Sequence, residues 1–366
     1  MGIVAYTKQI KEWVARYEHY LMPLALLFGF VIDNLTLTRI DQWFDNVVLA
    51  SYLLLAALGI VLYHLINTGR VGGLIANRLV GLLPLLVQFA FGGLFSGFLV
   101  FYSRGASIFS SWLFVLILAG LLVGNEILRE QYRRFQVQMG ILFVALFSFL
   151  VFFVPVVVKA IGPYVFLLSS AVSIAVMALF LYLLSFVLQE KVTDGRRVLA
   201  LSVVTITLIF NGLYFMGAIP PLPLSLKDAG VYHTIEKTNS GTYAALGEPV
   251  PWYLPFRSYN KVYERAPGES VYVYSAVFAP TDLTETIGHR WEYYDEARGA
   301  WTNVGTVRFS ITGGRAEGYR GYSTKYGPAP GKWRVTVVTE GGLPIGRISF
   351  RVETVDEQPN LTEEIL

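Results

Sequence analysis

The chemistry open to this chain rests on few residues. It has four histidines, His19, His64, His233 and His289, and no cysteine. No histidine is spaced from another as paired metal ligands are, so no metal site is expected. The missing thiols exclude disulfides, thiolate nucleophiles and iron–sulfur clusters. There is no HExxH, no nucleophile elbow and no Walker A loop. The run from Gly327 to Lys332 is one residue short of the phosphate-loop spacing and leads into a strand pattern. An acid, a base and a nucleophile cannot be assembled on one side, so we expect no catalytic residue and no cofactor, and the reading leans away from an enzyme.

Two groups of residues could bind instead. Gly313 to Lys325 places Arg315, Tyr319, Arg320, Tyr322 and Lys325 on a glycine-rich backbone, with Trp291 and Trp301 as candidate neighbours. Tyrosine faces and guanidinium forks suit a sugar or an anionic ligand. The competing reading makes the aromatics core and the arginines braces for backbone carbonyls. The second group is Asp33, His64, Gln88 and Asn211, polar residues inside apolar stretches. A carboxylate at mid-bilayer costs about 2.5–3.5 kcal/mol on insertion scales, so such residues line a path or find partners. For Asp33 the plainer partner is Arg39.

The elements that must position these residues are mostly membrane helices. The chain is 54% hydrophobic and 15% charged, against about 25% charge in soluble proteins. Seven apolar runs read as spans: about 20–38, 46–66, 79–102, 106–125, 139–158, 164–188 and 198–219. The last opens at Arg196-Arg197 and stops at Pro220-Pro221. Basic residues alternate across the connecting loops, 11 on one side against 3 on the other. That bias puts the N-terminus in the cytoplasm and the C-terminal region outside. No cleavable signal peptide is visible, and residues 1–19 read as a cytoplasmic amphipathic segment. Gly93 with Gly97, and Gly120 with Gly124, have the spacing that lets helices pack closely. Pro84 and Pro155 are expected to kink their spans.

Beyond Pro220 the period changes to two. Ser270–Phe278, His289–Tyr294, Thr306–Ile311, Lys332–Val338 and Arg347–Val352 alternate, and Val231–Ile235 is a further strand. Gly241–Val262 has no clear period and reads as irregular. The expected fold is a seven-helix, all-α transmembrane bundle followed by an all-β antiparallel, Ig-like sandwich. The divisions are 1–19, the bundle at 20–219, a Pro-rich linker at 220–229, the β domain at 230–355 and a flexible tail at 356–366. Charge divides likewise: 14 Lys and Arg against 9 Asp and Glu up to Ile219, then 15 against 17. Neither part has a basic run suited to nucleic acid.

The ordered motifs His289-Arg-Trp-Glu-Tyr-Tyr, Gly313-Gly-Arg, Gly318-Tyr-Arg-Gly-Tyr, Gly331-Lys-Trp-Arg-Val and Gly346-Arg-Ile-Ser-Phe resemble a bacterial C-terminal family known as domain of unknown function 2914. Gly29 to Asp41 also looks like the first span of multipass proteins that carry it. The resemblance implies a bacterial inner-membrane protein with an outward β domain, and it implies no reaction. Three functions stay open. The β domain binds a glycan, a lipid headgroup or a partner membrane protein; the bundle transports; or the protein is an enzyme on a lipid-linked substrate. Membrane lipid is an expected partner, and a homo-oligomer is compatible.

Overall fold

The computed structural model describes residues 30–37, 42–73, 80, 82–105, 108–127, 134–221, 223–239, 241–251, 258–281, 283–315 and 317–366. The amphipathic segment, Arg39, and residues 20–29 of the first expected span lie outside them. Among the described residues there are seven helices: α1 (30–36), α2 (Trp43–Asn67), α3 (Leu83–Gly105), α4 (Ile108–Ile127), α5 (Phe135–Val158), α6 (Pro163–Val187) and α7 (Gln189–Phe215). Five of them, α2, α3, α5, α6 and α7, are long and apolar enough to cross a membrane. The chain divides into two compact units. One holds Met1–Ser103, Leu113–Val154 and Leu167–Gly212; the other holds Arg104–Trp112, Pro155–Phe166 and Leu213–Leu366.

In the first unit α5 is the most apolar helix, with mean hydropathy 3.0, and most of it is buried. Aromatic rings interlock around it. Phe152 meets Phe98 and Tyr102 edge-on, and Phe147 meets Phe210 at 4.4 Å between ring centroids. The outer helices instead present Leu58, Leu179, Phe186, Leu201 and Leu208 outward. Apolar surface this extensive is untenable in water and suits lipid. Gly93 and Gly97 let α3 approach α2: a Cβ on Gly93 would press into Tyr52, and one on Gly97 into Leu49 and Leu37. Gly120, by contrast, has open space where a Cβ would stand. Pro84 sits in the first turn of α3, where its missing N–H costs nothing, so it is no kink. Pro155 does lie inside α5.

The C-terminal region is β-rich. A five-stranded sheet has the order β4 (Val262–Arg265), β10 (Pro344–Thr354), β9 (Gly331–Thr339), β6 (Thr284–Asp295), β7 (Ala300–Thr312). Its pairings are antiparallel except β4 with β10. A second sheet orders β1 (Ser225–Tyr232), β5 (Ser270–Phe278) and β8 (Tyr319–Tyr326). A third orders β11 (Thr362–Ile365), β3 (Tyr243–Gly247) and β2 (Thr234–Lys237). The period-two pattern decides what is buried. Val271 and Val273 of β5 share one core with Trp291, Val335, Ile348 and Phe350 of the larger sheet. On β6 the alternate residues, Arg290 and Glu292, take the opposite face.

Two expectations are corrected. The C-terminal segment expected to be a flexible tail pairs antiparallel with β3 as β11, and Leu366 is buried against Tyr232, Tyr274 and Ile235. The segment read as irregular contains β3, which bridges β2 and β11.

Candidate functional site

The sequence candidates in the β region fall into three places. Strand β8 carries Tyr319, Arg320, Tyr322 and Lys325, in register with Val277, Ala276, Tyr274 and Val271 of β5. The loop before it brings the Arg315 guanidinium to 5.8 Å from the Tyr319 ring. Tyr322 packs edge-on against Tyr243 at 5.7 Å and lies 6.1 Å from Tyr272. Burial pushes the Tyr274 hydroxyl up to about 12 and Asp228 adds to the rise, while Arg320 works against it. Arg315 and Arg320 both act on Tyr243 and so belong to one patch, in which Tyr322 and Arg315 are exposed while Tyr319 packs against the main core. The glycines beside it have a backbone reason. A Cβ on Gly313 would overlap the Pro280 carbonyl, and Gly313 N–H donates to Leu283 O at 2.8 Å. The motif is a tight corner that presents Arg315.

The tryptophans do not join that patch. Trp291 is buried in the core and donates from Nε1 to Ser323 Oγ at 3.0 Å. The same hydroxyl lies 2.8 Å from His289 Nδ1, and Ser275 Oγ lies 2.8 Å from His289 Nε2. Burial pushes the His289 imidazole down to about 4. A neutral, fully enclosed histidine between two serines is a structural link between sheets, since no substrate can reach it. Trp301 lies on β7, where the Arg334 guanidinium stacks 4.3 Å from its ring centroid.

That stack belongs to a cluster absent from the sequence candidates. Glu292 accepts from Arg334 Nη2 at 2.8 Å and Nε at 2.9 Å, and from Thr336 Oγ1 at 3.2 Å. Burial raises its pKa, but Arg334 and Arg290 outweigh that and hold the carboxyl below its ordinary value. Arg290, Thr336 and Arg347 lie in one row across β6, β9 and β10. Only the alternation of charged with apolar residues could have flagged it, because β6 is far in sequence from the β9–β10 hairpin.

His233 forms a second unforeseen cluster. Its Nδ1 lies 2.7 Å from Glu269 Oε1 and its Nε2 3.3 Å from Glu248 Oε1. Its ring stacks on Tyr263 at 4.3 Å. Burial opposes the charged imidazolium, yet the two glutamates prevail and raise its pKa. Both carboxylates also hold backbone: Glu269 takes Ala266 N–H at 2.9 Å, and Glu248 takes Glu264 N–H. With both ring nitrogens engaged, His233 ties loops together. Among the described residues no group of three His, Cys, Asp or Glu is arranged to hold a metal ion.

The polar residues of the helices do not converge. His64 Nε2 lies 2.8 Å from Gln138 Oε1, in a buried contact between α2 and α5. Asn211 Nδ2 donates to Thr207 O at 2.8 Å and to Ser170 Oγ at 3.2 Å. Asp33 lies near Ser96 and Tyr52. Gln88 is half-buried on α3. These are separate contacts between helices rather than a common lining.

No curated protein matches the sequence. Among solved structures the chain has a likeness to the Pseudomonas fluorescens alkylpurine DNA glycosylase AlkC bound to DNA containing an abasic site analog. That likeness has 10% identity and a TM-score of 0.22, over 86% of this chain and 99% of that one. A score so low bears on neither fold nor function. Residues 284–352, β6 through most of β10, match the family described as Protein of unknown function (DUF2914), in the C-terminal region of the chain.

Proposed function

We propose that this is a bacterial inner-membrane protein with seven spans, a cytoplasmic N-terminus and an outward Ig-like β-sandwich that serves as a binding module. The contact patch is Arg315, Tyr319, Arg320 and Tyr322. The observation that supports it is the gathering of two guanidiniums and several tyrosine rings on one accessible patch, while the buried histidines of the region are occupied. Ring faces beside guanidinium donors suit a sugar ring best. A lipid headgroup and a partner membrane protein are the other ligands this chemistry admits. Transport is the weaker reading, because His64 and Asn211 spend their side chains on Gln138 and Ser170.

The test is a crosslinking pull-down from native membranes. Arg320→Ala with Tyr322→Ala is expected to lose the captured glycan or partner while the protein stays folded by circular dichroism. Unchanged capture by the folded variant would overturn the patch.

A further inference from the structure

We infer that the charged face of the five-stranded sheet holds a phosphoryl-binding site built from Arg290, Arg334 and Arg347 around Thr336. The site is separate from the Arg320 patch and does not depend on it. Adjacent strands stand about 4.8 Å apart, so Arg290 and Arg347 flank Thr336 on either side within one row. Arg334 lies two residues along the central strand. Thr336 is fully buried beneath these longer side chains, so the guanidiniums and not its hydroxyl would meet a ligand.

Charge is the stronger reason. Three guanidiniums face one carboxylate, Glu292, and that carboxylate is already committed to Arg334 and Thr336. Arg290 reaches it only at 3.8 Å. The Nε atoms of Arg290 and Arg347 are buried with no hydrogen-bond partner among the described residues. A buried charged donor left unpaired is costly, and like charges crowded beside it add to the cost. One carboxylate therefore balances three guanidiniums at a point where donors converge. The Arg290 side chain keeps 33% of its surface exposed and Arg334 19%, so a small ligand can reach them. A carboxylate offers two oxygens and matches one guanidinium fork. A phosphoryl group offers three oxygens and up to two charges, which matches this set. The group could come from a soluble phosphate ester or from a lipid headgroup.

The test uses the full chain in a neutral detergent, titrated with inorganic phosphate at constant ionic strength and followed by calorimetry. Saturable binding is expected, with acetate at least tenfold weaker. Arg347→Gln is expected to weaken phosphate binding tenfold or more, and Arg298→Gln, an exposed arginine in the turn between β6 and β7, to leave it unchanged. Arg347→Gln is also expected to raise the melting temperature in phosphate-free buffer, since it removes an unpaired charge, and to lose the further rise that phosphate gives the parent. Arg290→Lys, which keeps the charge but not the fork, guards against a misfolded variant and is expected to bind severalfold more weakly. Absent binding, or Arg347→Gln and Arg290→Lys both binding like the parent, would overturn the site. Repeating the titration in nanodiscs distinguishes the sources. Phosphate displaced by phosphatidylglycerol but not by phosphatidylcholine assigns the site to an anionic headgroup; indifference to both assigns it to a soluble ester.

Discussion

His289 and His233 respond to pH in opposite directions, because one is buried among neutral partners and the other among carboxylates. The folded-state pKa of His289 is depressed to about 4 from an ordinary 6.5. The unfolded chain takes up a proton below 6.5 that the folded chain refuses until about 4. Its contribution is therefore complete above 6.5 and lost as pH falls through 4, a difference of about 3 kcal/mol. His233 has a raised folded pKa. Its contribution is complete below its ordinary value and lost as pH rises through the folded one. Near-UV circular dichroism melts of the full chain are thus expected to peak near neutral pH. His289→Phe should flatten the acid limb, and His233→Gln the alkaline limb, even though each variant starts less stable. An acid limb of unchanged slope in His289→Phe would contradict this assignment. Neither role was legible in the sequence. Histidine carries no label for burial; Ser275 and Ser323 reach His289 from paired strands, and Glu248 and Glu269 reach His233 from loops.

Among the elements, α2 and α3 are joined by the glycines that the four-residue spacing singled out. Gly97→Leu is expected to cost about 1–3 kcal/mol through overpacking against Leu49 and Leu37. Gly120→Leu, with the same spacing motif but open space around it, is expected to stay within about 0.5 kcal/mol of the parent. Melts of the detergent-solubilised protein would show the contrast, and equal losses would refute it. The helices were legible because a hydrocarbon-length apolar run has few alternatives. Their exact limits were not: α7 begins at Gln189, so Arg196 and Arg197 lie within the helix rather than in a loop. The strands β5, β6, β9 and β10 were legible from alternation. Tyr243–Gly247 was not, because its short run of small residues has no contrast between faces. Its pairing with Thr362–Ile365 closes more than a hundred residues of chain.

At the scale of the whole molecule the open matter is sidedness, and the absence of cysteine makes it directly measurable. A single thiol at Tyr326→Cys, a strongly exposed position on β8, is expected to react with a membrane-impermeant maleimide in intact spheroplasts. One at Thr68→Cys, just after α2, is expected to react only after lysis. The opposite labelling would invert the proposed topology.

Composition and periodicity were enough to establish apolar helices followed by paired strands, because burial in lipid and burial of one sheet face each leave a one-dimensional pattern. The ordered motifs likewise sufficed for the domain family. Which polar residues meet was set by folding alone. Trp291 went to the core and Trp301 to an arginine stack, and Glu292 of β6 met Arg334 of β9, 42 residues on. Strand register brings such groups together across long stretches of chain, and a linear sequence holds no distance between them.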